Sequence, residues 1–580
     1  MGLLRRMLFG AAAAACLAAP AYAWEADADP LKAEIDAFVS GLQANTNGLV
    51  TWDGSDPYEI KQDGDAAVAT ITHIRLSVHG KDLAQIALDR IEIRRSPDPS
   101  DSKLVKFSFV LPSEGTITSA DGDQVAVTLK DGKADAVLEA VSEQAREVNL
   151  SLASLRIAEA RSNSWINFGP LTGSSKVVPD DKGGFAGPTQ VEWQKIEYSF
   201  PDHVTGGIDR IAYTGNVAGP NLTSLNTLRA QLQEMRKTIT SPEARMKAML
   251  DILPALATAY SQIKGEFAVQ NITARTADGP VFALANASFS SDLSGLDGES
   301  AAFRVTLKHD GLDLAPSVLP PDKVPHRVVV DIGLDKVSTA ALRAIFNIAM
   351  KMNTGTPAEK QAATPQLMGA LAMLTPTFHI YDIAADLRDV GVDVTGVASG
   401  SPMSPQGYKA DADVLVRGFA AIPSLAGAGA PLVQYLPLLQ ELATTTSDTP
   451  PRTKFHVGSA PPKWLTINGN DVSAWVIDTG TAPGQARLLK PAEPPMRGAD
   501  VTAVQHALAA ANVAVQASGV YDGPTAVAVA RYQKQNGLNV SGAVDAATWQ
   551  KLGVKMPAAP SPSPSAPSPV APNRPGLRQK

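Results

Sequence analysis

Alternation with a period of two runs through the middle of this 580-residue chain and restricts its fold more than any other feature. In Ala67-Val68-Ala69-Thr70-Ile71-Thr72-His73-Ile74-Arg75-Leu76-Ser77-Val78, apolar and polar residues take turns. Successive side chains of an extended strand point to opposite faces, so this pattern places one face in a core and the other near water. Ile86 to Ile93, Val105 to Leu111, Val125 to Leu129, Val148 to Ile157 and Val191 to Phe200 repeat it, separated by Asp, Gly, Ser and Pro turns. Further on come His379 to Leu387, Val392 to Val397, Ala410 to Val416, Lys454 to Val457 and Lys463 to Asn468. Closely spaced strands of this kind predict a large antiparallel sheet over residues 36 to 478.

Helical periodicity interrupts the sheet. Leu225, Leu228, Leu232, Met235 and Ile239 step by three and four, and Ser241-Pro242-Glu243 supplies the cap, first-turn proline and acidic first turn of a second helix running through Ile263. Ser338 to Met352 and Thr356 to Leu374 read as another hairpin, and Pro423 to Leu442 as a third helical stretch. A short motif recurs three times: Gly215 with Pro220-Asn221-Leu222, Gly311 with Pro316-Ser317-Val318, and Gly418 with Pro423-Ser424-Leu425. Phe267, Val269, Asn271, Ile272 and Val281 also align in register with Phe378, Ile380, Asp382, Ile383 and Val392. The pattern reads as a duplicated strand and helix-hairpin unit, the alternative being coincidence among common turn residues.

The ends of the chain have their own chemistry. Residues 1–23 read as a secretory signal: Arg5 and Arg6, an apolar run from Leu8 to Leu17, and the cleavage site Ala21-Tyr22-Ala23. The only cysteine, Cys16, lies inside it. A chain beginning at Trp24 therefore has no thiol nucleophile and no disulfide framework. A formal net charge of −7 gives no nucleic-acid footprint. Residues 479–496, with Gly480, Pro483, Gly484, Pro491, Pro494 and Pro495, read as a linker. Residues 555–580 form a Pro/Ser/Ala-rich basic tail with no means of building a core.

Between linker and tail, residues 497–554 show three short amphipathic helices. Asp500 is placed to cap the first, with Val501, Val504 and Leu508 on its inner face and Asn512 at its left-handed stop. A glycine turn from Gly519 to Thr525 leads into the second, which presents Ala528, Val529 and Tyr532 and stops at Gly537. Asp545 caps the third, with Trp549 and Leu552 inside and Gly553 at its end. These residues resemble the peptidoglycan-binding-like domain, a three-helix module appended to many bacterial cell-wall enzymes. Its opening run corresponds to Gly498, Asp500, Val501, Val504, Gln505 and Leu508, its central signature to Gly519, Tyr521, Thr525, Ala528, Val529, Tyr532 and Gln533, and its close to Gly537, Leu538, Gly542, Thr548, Trp549 and Leu552. Tyr521 and Tyr532 stand where the family has Phe, and Gly523-Pro524 fall one place later than usual. The resemblance implies peptidoglycan as a partner. Tyr521, Asp522, Arg531 and Gln533 are the candidate contacts, because an aromatic edge, an amide and an Arg suit the carboxylates, amides and hydroxyls of muropeptides.

No other site emerges from the sequence. The eight histidines are too scattered for a helical zinc pair, and there is no serine elbow and no complete phosphate loop. No catalytic residue, metal or cofactor is assigned. The expected fold is multidomain α+β: a strand-rich periplasmic domain with inserted helical hairpins over residues 24–478, then the all-α module. The expected function is that of an exported, non-catalytic envelope protein tethered to peptidoglycan. One alternative is a peptidoglycan hydrolase or remodelling enzyme. A second is a periplasmic lipid-binding or lipid-transfer protein, since long amphipathic strands with apolar hairpins resemble the groove-forming lipid-handling proteins of Gram-negative envelopes.

Overall fold

The structure is a computed structural model. It describes residues 50–52, 59–78, 84–119, 122–140, 145–179, 185–218, 262–295, 298–354, 376–401, 407–426, 431–460, 463–476 and 487–554, with Leu31, Lys32, Ile35, separate helical residues between 361 and 370, and Leu374. The predicted signal segment, the predicted tail, the hairpin predicted before Gln262 and residues 479–486 of the predicted linker lie outside these residues. Two compact units are present, Met1–Ser399 and Gly400–Lys580.

The first unit is an antiparallel sheet in which fifteen strands follow one another in space as they do in the chain. They are β1 (Glu59–Asp63), β2 (Ala66–Val78), β3 (Ala84–Pro97), β4 (Leu104–Val110), β5 (Lys133–Glu139), β6 (Ala145–Leu152) and β7 (Leu171–Lys176). Then come β8 (Phe185–Phe200), β9 (Val204–Ala218), β10 (Gln262–Thr276), β11 (Gly279–Ser294), β12 (Ser300–Leu314), β13 (Arg327–Ser338), β14 (Thr377–Asp386) and β15 (Gly391–Gly400). Strands of fifteen residues, such as β9 and β10, extend about 50 Å.

Register decides which side chains share a face. Val191, Tyr213, Phe267, Phe289 and Leu307 are direct partners across β8 to β12. The same row continues through Val330, Ile383 and Val394 to β15. Toward the N-terminus it passes Gly173, Leu150, Ala134, Phe109, Ile93 and Ala69. The opposite face is polar. Arg210 meets Glu192 at 2.7 Å, Arg304 forks onto both carboxylate oxygens of Asp331 at 2.8 Å, and Arg327 lies against Asp382, Asp386 and Asp393. The alternation in the sequence therefore yields one apolar and one ionic face.

A crease crosses the sheet. In β8 to β12 the pairing skips one residue in line: Lys195, Asp209, Asn271, Ala285 and Gly311. Lys195, Asn271 and Gly311 have φ of 52°, 50° and 69°. An unpaired residue of this kind bends its strand and reverses the alternation. Trp193 and Phe200, an odd number of residues apart, accordingly pack on the same core. Between β3 and β8 the sheet divides into two leaves. One runs through β4 to β7, and the other through Glu114–Ser119, Gln124–Lys130, Ser154–Glu159 and Ser164–Phe168. Their apolar faces meet, with Leu152 and Leu171 of one against Val125, Leu155 and Ile157 of the other. Val148 to Ile157, which reads as one strand in the sequence, is two: it breaks at Ala153 so that the chain changes leaf.

Helices cover parts of the apolar face. Leu31 and Ile35 pack on Ala69, Ile71 and Ile74. Helix α1 (Thr339–Thr354) follows β13 and sets Leu342 beside Leu293 and Phe303. Of the triplicated motif, Pro220 to Leu222 lies outside the described residues, and Pro316 to Val318 forms a turn rather than a helix entry.

In the turn after β3, Asp98 Oδ1 accepts from the Ser100 hydroxyl at 2.6 Å and its amide at 2.8 Å, and Lys106 Nζ lies 3.1 Å from Oδ2. The Ser100 bonds, followed by Lys106, hold the carboxyl at about 2. A carboxyl depressed in the folded state stabilises it above the unfolded value of about 4, and that contribution is lost as pH falls from there toward 2. Titration followed by NMR is expected to place Asp98 near 2, and Ser100→Ala to move it toward the ordinary carboxylate range. An ordinary value in the unsubstituted chain would show that this turn does not hold the carboxylate.

The second unit pairs β16 (Tyr408–Arg417) with β17 (Thr453–Ala460), and β17 with β18 (Lys463–Ile467). The helical stretch predicted from Pro423 to Leu442 is broken into a short helix (Ile422–Ala426), a 3-10 turn (Pro431–Tyr435) and α2 (Leu436–Leu442). Prolines 423, 431 and 437 each remove an amide donor, and a continuous helix does not tolerate them inside. The terminal helices are α3 (Ala499–Ala510), α4 (Gly523–Gln535) and α5 (Ala546–Leu552).

Candidate functional site

Helices α3, α4 and α5 close around Val501, Val504, Leu508, Val529, Tyr532 and Trp549, all buried. Gly498, not Asp500, stands at the N-cap of α3; Asp500 lies in its first turn, with Arg487 Nη1 3.3 Å from its carboxylate. Asn512, Gly537 and Gly553 take left-handed backbone after the three helices, with φ of 61°, 64° and 65°.

One device occurs twice in this core. Gln505, on α3, donates to the Val520 carbonyl and the Thr525 hydroxyl at 3.0 Å each, and accepts from the Gly519 amide at 2.9 Å. Gln533, on α4, donates to the Ala543 carbonyl at 2.7 Å and the Thr548 hydroxyl at 3.0 Å, and accepts from the Ser541 and Gly542 amides at 2.9 Å each. Both glutamines are fully buried. In each copy the threonine sits in the first turn of the next helix, where an aspartate caps it. Asp522 accepts from the Thr525 amide and hydroxyl at 3.0 and 2.6 Å, and Asp545 does the same for Thr548 at 2.8 and 2.6 Å. Each glutamine thus staples a loop to the helix that follows it.

This geometry redistributes the four candidate contacts. Gln533 has no surface to offer a ligand. Tyr521 is also fully buried, its hydroxyl donating to the Gly542 carbonyl at 2.6 Å and its phenol pushed well up by burial. Asp522 has its carboxylate committed to the cap. Arg531 is exposed, but its Nε donates to Glu441 of α2 at 2.8 Å, with Lys534 on the other carboxylate oxygen at 3.8 Å. Sequence reasoning placed Tyr521 on a turn and Gln533 beside the helical stripe. The signal it missed is the repeated Gln followed by Asp-any-any-Thr, which marks buried amides rather than binding groups.

The module does not stand apart within its unit. Leu438 of α2 is 1% exposed and belongs to the same core. A side chain at Gly523 would run into the Gln434 carbonyl, and one at Gly542 would lie 2.6 Å from a Leu438 methyl, so both glycines permit this close approach. Trp475 Nε1 donates to Ser541, and Asn539 exchanges hydrogen bonds with the backbone of Asp471. Leu489, inside the predicted linker, is fully buried and exchanges backbone hydrogen bonds with Val544. The compact unit holding the module therefore starts at Gly400, and the end of the predicted linker is part of its core. Apolar residues on both sides of position 478, Leu438 and Trp475 before it and Leu489 and Val544 after it, belong to one core.

In each unit a pair of acids lies against a basic side chain. Asp382 and Asp386 converge on Arg327, and in the second unit Asp411 and Asp413 lie against His456.

No curated protein and no solved structure matches the chain. The model of the family described as "Putative peptidoglycan binding domain" matches residues 497–552, so the chain carries a C-terminal peptidoglycan-binding domain.

Proposed function

We propose that this is an exported, non-catalytic envelope protein held at peptidoglycan by residues 497–552, with the strand-rich first unit as the part so positioned. The observation that carries the reading is the family match over a module whose core is complete, both glutamine staples included. Arg531 is the candidate contact with its charge still at the surface. A muropeptide carboxylate competes with Glu441 for its planar fork. The non-catalytic part rests on the sequence, which supplies no thiol after residue 23, no serine elbow and no histidine pair.

Purified full-length chain is expected to sediment with isolated sacculi and to be released by soluble muropeptides, with Arg531→Ala weakening retention several-fold. Failure of the unsubstituted chain to sediment would overturn the tether. Release of muropeptides from the sacculi by the chain alone would replace the scaffold reading with the hydrolase one.

A further inference from the structure

Five neighbouring strands of the first unit leave an apolar row open to solvent. Val191 is 38% exposed, Tyr213 40%, Phe267 44%, and Phe289 and Leu307 46% each. Beside this ridge lies a row of small residues, Thr189, Gly215, Gly265 and Ser291, in the same register. A side chain at Gly215 would strike the Tyr213 ring, with its hydroxyl oxygen 2.6 Å away, so that ring lies flat over the glycine backbone. The result is a shallow apolar trough running across the strands. Contiguous apolar surface of this extent marks a binding face.

We infer that the trough is a binding site for phospholipid hydrocarbon chains, laid across β8 to β12 at right angles to the strands. Three observations select this occupant. Charge is the first. Among the described residues of the ridge and its two flanking rows there is no Asp, Glu, Lys or Arg, whereas the opposite face carries the arginine–carboxylate pairs. The one basic residue in the flanking rows, His309, is pushed by burial toward its neutral form. An uncharged ligand suits such a surface.

Hydrogen bonding is the second. Each strand from β8 to β14 is paired on both sides, so the trough has no free edge to which a peptide strand can add. Hydrocarbon requires no such partners. Continuity is the third. At the β8 side the apolar row enters a covered core, where Leu150 packs against the leaf that holds Leu155 and Ile157, and on β11 and β12, just beyond the row of small residues, Leu293 and Phe303 lie under Leu342 of α1. The open stretch is thus a section of built core whose cover comes from outside the chain's described residues. Phospholipid chains supply apolar cover and leave their charged headgroups at the rim.

The inference is independent of wall binding and is tested on the full chain. The probe is vesicles of phosphatidylglycerol labelled at an acyl terminus. Uptake by the unsubstituted chain is expected to fall roughly tenfold or more when Phe267→Glu and Phe289→Glu put carboxylates in the trough. Phe289→Leu is expected to retain uptake, as is Ser288→Glu, the adjacent residue on the opposite face, whose cross-strand partner is Lys308. Sacculus binding is expected to be unaltered in all of them. Absence of uptake by the unsubstituted chain, full uptake by the double variant, or equal loss in Ser288→Glu would each overturn the inference. Dimers that take up no lipid and fall apart in Phe289→Glu would make the face a contact between copies. If the double variant fails to melt cooperatively, Phe289→Leu and Ser288→Glu still decide, because loss of uptake in either folded variant counts against the site.

Discussion

Replacing Gln533 with leucine is expected to destabilise the C-terminal module by about 3–5 kcal/mol, measured as the fall in urea midpoint of the module's unfolding. The size follows from what is left behind. Two amide donors, those of Ser541 and Gly542, lose the acceptor that Gln533 supplies, and the Ala543 carbonyl and Thr548 hydroxyl lose a donor, all within a buried core. Each orphaned buried group costs about 1–3 kcal/mol, offset in part by the apolar replacement. Sacculus retention should decline in parallel with the folded fraction. If Gln533 instead contacted muropeptide directly, Gln533→Leu would abolish retention with the midpoint unchanged, and that outcome would return the residue to the binding surface. Gln505→Leu is expected to behave in the same way, because its bonds to Gly519, Val520 and Thr525 repeat the arrangement.

Leu438→Ala should cost about 2–5 kcal/mol, the usual range for a fully buried leucine whose site cannot collapse. Its distinguishing feature is where the loss appears. Leu438 lies outside residues 497–552 yet shares a core with Val501, Val529 and Trp549. Hydrogen-exchange protection of α3 and α4 amides should therefore fall along with that of α2. Loss confined to α2, with the three terminal helices unaffected, would mean that the module folds independently of residues 400–476.

These two residues show how far the sequence could be read. Apolar spacing in Val501, Val504, Leu508 and Trp549 was legible because a helix imposes a period of 3.6 on whichever residues face inward. Asp545, Asn512 and Gly553 were legible for a local reason: capping and left-handed backbone depend on neighbours within a few residues. The burial of Tyr521 and Gln533 was not legible, because a polar group looks the same in a sequence whether it meets water or a buried carbonyl. Leu438 could not be assigned to the module at all, since its partners lie more than sixty residues further along the chain.

In the first unit the strands were legible and the sheet's architecture was not. Alternation in Ala67 to Val78 identifies a half-buried strand, but not the residue at which the pattern reverses. Lys195, Asn271 and Gly311 carry no common signature, yet they line up in one crease. Ala153, at which the chain passes between leaves, is likewise an unremarked small residue in the text of the sequence.

What the sequence determined by itself is what short-range physics can write: strand and helix periods, caps, turns, and a three-helix module whose signature is long enough to resemble a wall-binding family. Tertiary structure alone decided which of those residues share a face. Phe267 and Phe289 become neighbours only through register, and Leu438 and Gln533 become interior only when distant segments supply the rest of their surroundings. The reason is physical: burial is a property of a closed surface, which no stretch of chain possesses until the others have packed around it.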